Sequence, residues 1–260
     1  MKRYLIIIVF ISTYVSAQKS SIEGHIEYIE SYNPGTKEKH TLFFNSKGSM
    51  YEQEIDKSRK GETINENEDG TFAISYSYHL ETPEYVSFDL KSNVSYFRKV
   101  LGMELLTVKD SVEQIQWELL KETKNIGTFL CQKAKGAYRG RTYVVWFTND
   151  IPVPFGPWKL SGLSGLILEV SETSGAYSII ATSIKLGEGG QEFENKIKTL
   201  NLKDVISLED YKEILEEEHQ ATISYINSRL PQGSSLPMPT EEAVRQARQN
   251  ALEIFESTKN

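Results

Sequence analysis

The sequence predicts a mainly β protein of the α+β class, in which a strongly curved antiparallel sheet or open half-barrel is followed by two C-terminal helices. Up to about residue 200, apolar and polar residues alternate with a period of two. Turn residues separate these short segments without intervening helical patterns, which favours antiparallel pairing. Beyond residue 200 the spacing of apolar residues changes to three and four, as in amphipathic helices.

The N-terminus has the form of a secretory signal peptide over residues 1–17. Lys2 and Arg3 precede the apolar run Tyr4–Ile11, and small residues lead to a cleavage point near Ala17. The apolar run is too short to span a bilayer, and no later segment is apolar for long enough. We therefore predict an exported protein, periplasmic or secreted, with no transmembrane segment in the mature chain.

Composition excludes several classes of function. The formal charge is −7, and removal of Lys2 and Arg3 with the signal peptide would lower it to −9. A chain this acidic is not expected to bind nucleic acid or an anionic membrane surface. Hydrophobic residues make up 39% of the chain and aromatic residues 11%, which argues against intrinsic disorder. The 4 histidines show no metal-ligand spacing such as H-E-x-x-H, so no metal or cofactor is predicted.

Residues 18–200 are predicted to form one antiparallel β domain. Its first strand is SIEGHIEYIES, where apolar and polar residues alternate from Ile22 to Tyr28. Residues 56–70, DKSRKGETINENEDG, contain almost no apolar side chains and are predicted to form a long surface loop. The other predicted strands are KHTLFFNS, SMYEQEI, TFAISYSYHL, EYVSFDL, VSYFRKV, ELLTVKD, QIQWELLK, TFLCQKAKGAY, RTYVVWFTND, LILEVSE and AYSIIATSIKL.

Residues 201–260 are predicted to form a helical segment packed on the sheet. Apolar residues from Leu208 to Leu230 fall on one helical stripe, and Ser207 can cap the start of this helix. The segment PQGSSLPMP then ends it. A second helix is predicted from Glu241 to about Glu256, begun by Pro239 and Thr240.

The run IPVPFGPWKLSGLSGLILEV crowds three prolines and three glycines ahead of an apolar strand. Pro152 and Pro154 remove alternate N–H donors, so the run cannot be a fully paired central strand. Gly162 and Gly165 allow a close approach or a positive φ where a side chain would clash. We therefore predict a stiff corner that seats the strand Leu166–Val170 in the sheet, and no catalytic residue is needed to explain it.

The region around this run resembles the core of the GLPGLI family of exported bacterial proteins. The matching elements are Gly140-Arg141, Trp146-Phe147, Ile151-Pro152, Gly156-Pro157 and Gly162-Leu163-Ser164-Gly165-Leu166-Ile167. Ser164 stands where the family has the proline of its name, which restores an N–H and loosens the turn. The resemblance implies an exported cell-envelope protein of the kind found in outer-membrane transport contexts, and it implies no particular activity.

The leading functional hypothesis is a non-enzymatic accessory protein that binds a ligand or partner. A half-barrel could shelter a hydrophobic ligand, and an outer-membrane transport protein is the other expected partner. Arg141 could bind an anionic group or hold several loop carbonyls, and the nearby basic residues Lys133, Lys135 and Arg139 suit either an anionic ligand or ordinary pairing with glutamates. The candidate binding residues are Arg141, Trp146, Trp158, Leu163 and Ser164.

Two alternatives stay open. One is a metal-dependent or serine hydrolase, in which Glu23, His25 and Glu27 project from one strand face about 6.5–7 Å apart. A further ligand would come from His40 or His79. The same hydrolase class could instead use Ser164, although its second glycine comes one place too early for the G-x-S-x-G elbow. The other alternative is a structural accessory with neither a pocket nor an active site.

Overall fold

The computed structural model describes residues 22–32, 36–55, 61–66, 72–77, 82–101 and 104–229. Most of these residues form strands, and two helices lie toward the C-terminal end. In chain order the elements are β1 (Gly24–Tyr32), β2 (Thr36–Asn45), β3 (Gly48–Gln53), β4 (Gly61–Glu66), β5 (Phe72–Ser77), β6 (Tyr85–Asp89), β7 (Val94–Leu101), β8 (Glu104–Ser111), β9 (Glu118–Ile126), β10 (Phe129–Tyr138), β11 (Arg141–Thr148), β12 (Leu166–Glu172), β13 (Tyr177–Leu186), α1 (Gly190–Thr199), β14 (Val205–Ser207) and α2 (Leu208–Arg229).

A 12-stranded open sheet contains all of these strands except β4 and β5, which form a hairpin of their own. Its order is β14-β8-β7-β6-β3-β2-β1-β13-β12-β11-β10-β9. Two antiparallel meanders join where β1 pairs with β13: one contains β1 to β3 and β6 to β8, and the other contains β9 to β13. β14 adds one parallel strand beside β8. The predicted fold class, a mainly β protein with an open antiparallel sheet and C-terminal helices, is confirmed.

The sheet curves strongly because its two ends are linked by a short connector. β8 and β9 follow each other in the chain but lie near opposite ends of the sheet, and only residues 112–117 join them. A connector of this length spans about 25 Å at most when fully extended. Asp110 Oδ1 of β8 also lies 2.7 Å from Nη2 of Arg139, in the turn between β10 and β11. The gap between the two ends of the sheet, which residues 112–117 bridge, is called the seam below.

The loop of residues 149–165, called the inner loop below, fills the concave face of the sheet. It contacts both meanders: the ring of Phe155 lies 6.2 Å from that of Phe44 in β2, and Trp158 lies 6.1 Å from Tyr143 in β11. Phe155 and Trp158 are both buried. The interior in which a hydrophobic ligand was expected is therefore occupied, in this part of the described chain, by the protein's own core.

The proline and glycine pattern gives the inner loop its path. Gly162 has a φ of 94°, and its N–H donates to the carbonyl of Pro154 at 3.0 Å. A Cβ on Gly165 would lie 2.0 Å from the carbonyl oxygen of Thr148, so only glycine fits there. The predicted corner before β12 is present, it is also a buried part of the core, and its stiffness stays a prediction.

The two helices cover different faces of the sheet. On the outer face, α1 buries Phe193 against Phe43 and Met50. On the concave side, α2 places Tyr211 edge-on to Phe97 of β7, with ring centroids 5.2 Å apart. The apolar stripe predicted α2 correctly, whereas α1 was not predicted.

Ser207 caps α2 as predicted. Its hydroxyl accepts the N–H of Asp210 at 3.1 Å, and the Asp210 carboxylate accepts the N–H of Ser207 at 3.1 Å. This reciprocal arrangement satisfies two backbone donors at the start of the helix.

One local prediction is wrong, and others concern residues outside the described part of the chain or stay predictions. The surface loop predicted for residues 56–70 is wrong at Gly61–Glu66, where β4 pairs with β5 despite its polar sequence. The signal peptide over residues 1–17 and the helix predicted from Glu241 lie outside the described residues, and the domain division at residue 200 stays a prediction. Neither of the described helices combines the length and apolar character that a membrane span requires.

Candidate functional site

Charged side chains concentrate at the seam, where residues 112–117 connect the two ends of the open sheet. Asp110 lies at the end of β8 on the concave face and is 2% exposed. Its carboxylate accepts hydrogen bonds from Arg139 at 2.7 Å and from Lys159 of the inner loop at 2.9 Å. Lys159 also lies 3.8 Å above the ring of Phe97. One buried carboxylate therefore links both ends of the sheet to the inner loop.

Arg139 reaches Asp110 because of the turn that carries it. Tyr138 pairs with Arg141 across a two-residue turn in which Arg139 and Gly140 have φ values of 47° and 76°. Two positive φ values in succession are typical of the tight hairpin turns that match strand twist. Arg139 Nη2 also lies 3.1 Å from Glu113, a seam residue whose side chain is 53% exposed.

Arg141 and Glu172 form a second buried pair beside the first. Arg141 Nη1 lies 3.6 Å from Glu172 Oε2, and both side chains are almost fully buried. Burial acts to raise the pKa of Glu172, but hydrogen bonds from Ser174 and the positive charge of Arg141 outweigh it and hold that pKa below its ordinary value. We call the set Asp110, Glu113, Arg139, Arg141, Lys159 and Glu172 the charged corner.

A groove opens to solvent at the charged corner. Its volume is about 320 Å³, and its walls are Glu113 and Gln114 on the seam side and residues 137–142 on the hairpin side. This volume is at the lower end of the range typical of small-molecule sites. A cavity of about 30 Å³ lies alongside it, bordered by Asp110 and Lys159 and sharing Glu113 with the groove. The cavity has room for one or two water molecules.

The structure separates the predicted binding residues into two groups. Arg141 lines the groove, and Trp158 and Leu163 are buried in the inner loop. Trp158 packs edge-on against Tyr138, with ring centroids 5.7 Å apart, so it supports the groove wall from behind. Trp146 lies on the outer face instead, with Lys124 Nζ 4.5 Å from its ring centroid.

Ser164 is exposed and takes no part in the charged corner. Its hydroxyl donates to Oδ1 of Asn149 at 2.7 Å, which ties the two ends of the inner loop together. A nucleophilic serine requires a base that accepts its proton, and the oxygen of an amide is not such a base. The structure thus gives Ser164 a role in shaping the loop.

Glu23 and His25 do not form the metal site that the hydrolase alternative proposed. The Glu23 carboxylate lies against Gly190 at the start of α1, and His25 packs against Phe43, with ring centroids 6.0 Å apart. His40, the expected further ligand, lies on the concave face, opposite His25. In the described part of the chain, no group of three or more histidine, cysteine or acidic residues is placed to hold a metal ion. His79 lies outside that part.

A second polar cluster lies on the concave face, away from the charged corner. Glu30 of β1 is 1% exposed and accepts hydrogen bonds from Tyr32 at 2.7 Å and Tyr51 at 3.1 Å. Burial raises the pKa of Glu30 to about 7, against the lowering effect of these two hydroxyls. His40 Nδ1 lies 3.5 Å from Glu30 Oε2, and burial, with the charge of Lys99, lowers the pKa of His40 to about 4.

Sequence reasoning identified Arg141 and Arg139 but missed their partners. Asp110, Lys159 and Glu172 lie in three separate segments, and no local pattern connects them. One signal was present. A charged residue two positions after a buried apolar residue of a strand, as Asp110 is after Val108, points to the same side of the sheet and must have a partner in the interior.

Two of three comparisons with known proteins found a match. The family model described as "N-glycanase peptide, N-terminal domain" matches residues 92–213. Two solved structures of PNGF-II, in space groups C2 and P21, share the fold over 76% of this chain, each with a TM-score of 0.53 and 20% sequence identity. The match covers 33% and 34% of those chains, so this chain spans about a third of their length. No curated protein matches it.

These comparisons correct the predicted family. The GLPGLI assignment is wrong, because the family model that matches is the N-glycanase domain and the structural neighbours are PNGF-II. The expected accessory protein of GLPGLI type is wrong with it, and the hydrolase alternative is closer. The GLSGLI segment gave a false family match because its glycines are required locally. Gly162 has a positive φ and Gly165 lies close to another part of the backbone, and any chain with such a bend needs glycine at these positions.

Proposed function

We propose that this chain is an N-glycanase-type hydrolase domain, which takes part in removing N-linked glycans from proteins. One observation carries the proposal: the family match over residues 92–213 contains every residue of the charged corner. The same segment supplies both walls of the groove. The match therefore coincides with the part of the described chain where polar groups converge on a cleft, which is where an active site is sought first.

Two carboxylates of the charged corner have different roles, one as a base and one in positioning. Hydrolysis of an amide-linked glycan forms a bond from water oxygen to the amide carbon and breaks the C–N bond, so it needs a base that accepts a proton from the water and returns it to the departing nitrogen. Glu113 is the candidate base, because its carboxylate is half exposed and faces the groove. Asp110 is committed to Arg139 and Lys159, so its role is to position the guanidinium that in turn holds Glu113. The adjoining cavity has room for the water.

Incubation of the full chain with an N-glycosylated protein tests the proposal. Mass spectrometry should show release of the glycan and conversion of the glycosylated asparagine to aspartate. Glu113→Gln should lower the rate about 100-fold or more, because it removes the base. Glu122→Gln, which changes an exposed carboxylate on β9, should leave the rate unchanged. Absence of release with the unaltered chain, or full activity in Glu113→Gln, would contradict the proposal.

Export is part of the same proposal. Lys2, Arg3 and the apolar run Tyr4–Ile11 support passage through a secretion pathway, with cleavage near Ala17. Residues after the cut would begin at Gln18, which N-terminal sequencing of the mature protein would detect. A hydrophobic ligand and an outer-membrane transport partner stay predictions from the sequence.

A further inference from the structure

Trp117, on the connector across the seam, lies next to both walls of the groove. It is the last residue of the connector, whose Glu113 and Gln114 form one wall. The opposite wall begins at Ala137, directly after Gly136, on which the ring of Trp117 lies. On the basis of the function proposed above, we infer that Trp117 is a stacking platform for the second sugar of the N-glycan.

The ring of Trp117 is held in place at two points. A Cβ added to Gly136 would lie 2.8 Å from Cε3 of the indole, so the six-membered ring rests on the backbone of β10, and a larger side chain there would push it away. The indole N–H donates a hydrogen bond to the carbonyl oxygen of Ser161 in the inner loop at 2.9 Å. A ring fixed in this way binds a ligand without a further loss of side-chain freedom.

Part of Trp117 is open to solvent although its ring is anchored. The residue is only partly buried, whereas Ile115, two positions earlier, is 6% exposed. The neighbouring residues Gln114 and Gln116 are exposed. Their amides donate and accept hydrogen bonds, and the indole offers an apolar surface beside them. A sugar, which has hydroxyl groups around an apolar ring face, requires this combination.

The size of the groove places the second sugar outside it. Its volume of about 320 Å³ is at the lower end of the range for small-molecule sites, so a glycan whose innermost sugar lies beside Glu113 has to extend past the groove. Trp117 follows Gln114 by three residues, a segment that spans about 10 Å at most. The platform therefore lies where a sugar joined to the innermost one would follow.

Stacking on an aromatic ring suits the apolar face of a sugar. The face of an indole carries partial negative charge, and the C–H groups on one face of a pyranose ring carry partial positive charge. The contact also removes apolar surface of both rings from water. Trp117 therefore adds affinity for a glycan of two or more sugars, and it adds none for a single sugar held in the groove.

Two synthetic glycopeptides of the same peptide sequence test the inference. In one, the asparagine carries a single N-acetylglucosamine, and in the other it carries the disaccharide N,N′-diacetylchitobiose. Calorimetric titration of the full chain should give an affinity about tenfold higher for the disaccharide glycopeptide, because one sugar face is buried on the ring. Trp117→Ala should remove this advantage and leave the affinity for the single-sugar glycopeptide unchanged.

Further variants separate stacking from folding. Trp117→Phe keeps an aromatic face without the N–H that the Ser161 carbonyl accepts, so it should retain most of the advantage. Trp146→Ala removes a tryptophan on the outer face, whose ring centroid lies 4.5 Å from Lys124 Nζ, and should leave the advantage unchanged. Where Trp117→Ala does not fold, the indole N–H resonance of Trp117 in the unaltered chain carries the test, since it should shift with the disaccharide glycopeptide and not with the single-sugar one.

Equal affinity for the two glycopeptides, or no binding of either, would overturn the inference. An advantage that survives Trp117→Ala, or an indole resonance that does not move, would do the same. The proposed N-glycanase function would stand in each case if the chain still releases glycans from protein. Binding of the disaccharide through Trp117 without any release would instead contradict the hydrolase function and support the platform.

Discussion

Two buried carboxylates on the concave face, Asp110 and Glu30, have different kinds of hydrogen-bond partner. Asp110 contacts two cations, Arg139 and Lys159, at 2.7 and 2.9 Å. Glu30 accepts hydrogen bonds from two tyrosine hydroxyls, and its nearest basic group is a histidine whose pKa is itself lowered. Both residues are at most 2% exposed, so their partners account for the difference.

The difference separates a structural charge from a titratable group. A buried carboxylate with cationic partners anchors distant segments, and removing it leaves those cations uncompensated. A buried carboxylate with neutral partners is costly to ionise, so its pKa rises into the physiological range. The charged corner should therefore contribute to stability over a broad pH range, whereas the contribution of Glu30 should change with pH.

The largest expected effect is that of Asp110→Ala. This change takes the buried Asp110 carboxylate away from two buried cations, Arg139 and Lys159, and loosens the seam, so the free energy of unfolding should fall by about 3–5 kcal/mol. Urea unfolding measures this. Glu27→Ala, at an exposed position of β1, should change it by no more than about 0.5 kcal/mol. Similar stability of the two variants would show that the corner does not hold the sheet ends together.

The next largest effect is expected for Glu30→Gln, which should make the free energy of unfolding depend on pH. The pKa of His40 is about 4 in the folded chain against an ordinary 6.5, so the unfolded chain binds an extra proton between these values. Without Glu30, stability should therefore rise with pH across that window, by on the order of 3 kcal/mol. Urea unfolding at a series of pH values measures the slope.

His40→Gln should give the opposite slope. The pKa of Glu30 is about 7 in the folded chain against an ordinary 4.5, so the folded chain retains a proton that the unfolded chain loses, and stability should fall as pH rises between these values. In the unaltered chain the two contributions cancel between pH 4.5 and 6.5, where the pair holds one proton in either state. Parallel pH profiles for both variants would show that the two groups are not linked in this way.

The smallest expected effect is that of Tyr32→Phe. Its hydroxyl donates to Glu30 at 2.7 Å, and loss of this hydrogen bond should cost about 1 kcal/mol in urea unfolding. Because the hydroxyl lowers the pKa of Glu30, its removal should also move that pKa further upward, which NMR titration of the carboxyl carbon would detect. A downward shift would mean that the hydrogen bond does not favour the ionised form.

The fold class could be predicted from the sequence because it depends on local periodicity. Apolar and polar residues alternate in β1, and apolar residues form a stripe along α2, because one face of each element packs on the core. Strand order could not be predicted, since the pairing of β1 with β13 joins residues about 150 positions apart and has no local pattern. α1 was missed because Phe193 is its only large side chain buried in the core.

The candidate site was predictable only in part, and for the same reason. Arg141 is singled out by the Gly140-Arg141 element of the GLPGLI resemblance, a family assignment that is wrong, and by a guanidinium able to hold several acceptors at once. That Asp110 and Lys159 would border the cavity beside the groove that Arg141 lines depends on the connector of residues 112–117 and on the path of the inner loop. Trp146 has the same residue type as Trp158 but faces the other side of the sheet, so type alone could not separate them.

The short connector of residues 112–117 has a consequence for the order of folding. Each meander consists of hairpins between neighbouring strands, so each can begin to assemble on its own. The pairing of β1 with β13 and the contacts across the seam bring together parts of the chain far apart in sequence, and such contacts form slowly. Docking of the two meanders should therefore be the rate-limiting step, and lengthening this connector should slow it while leaving hairpin formation unaffected.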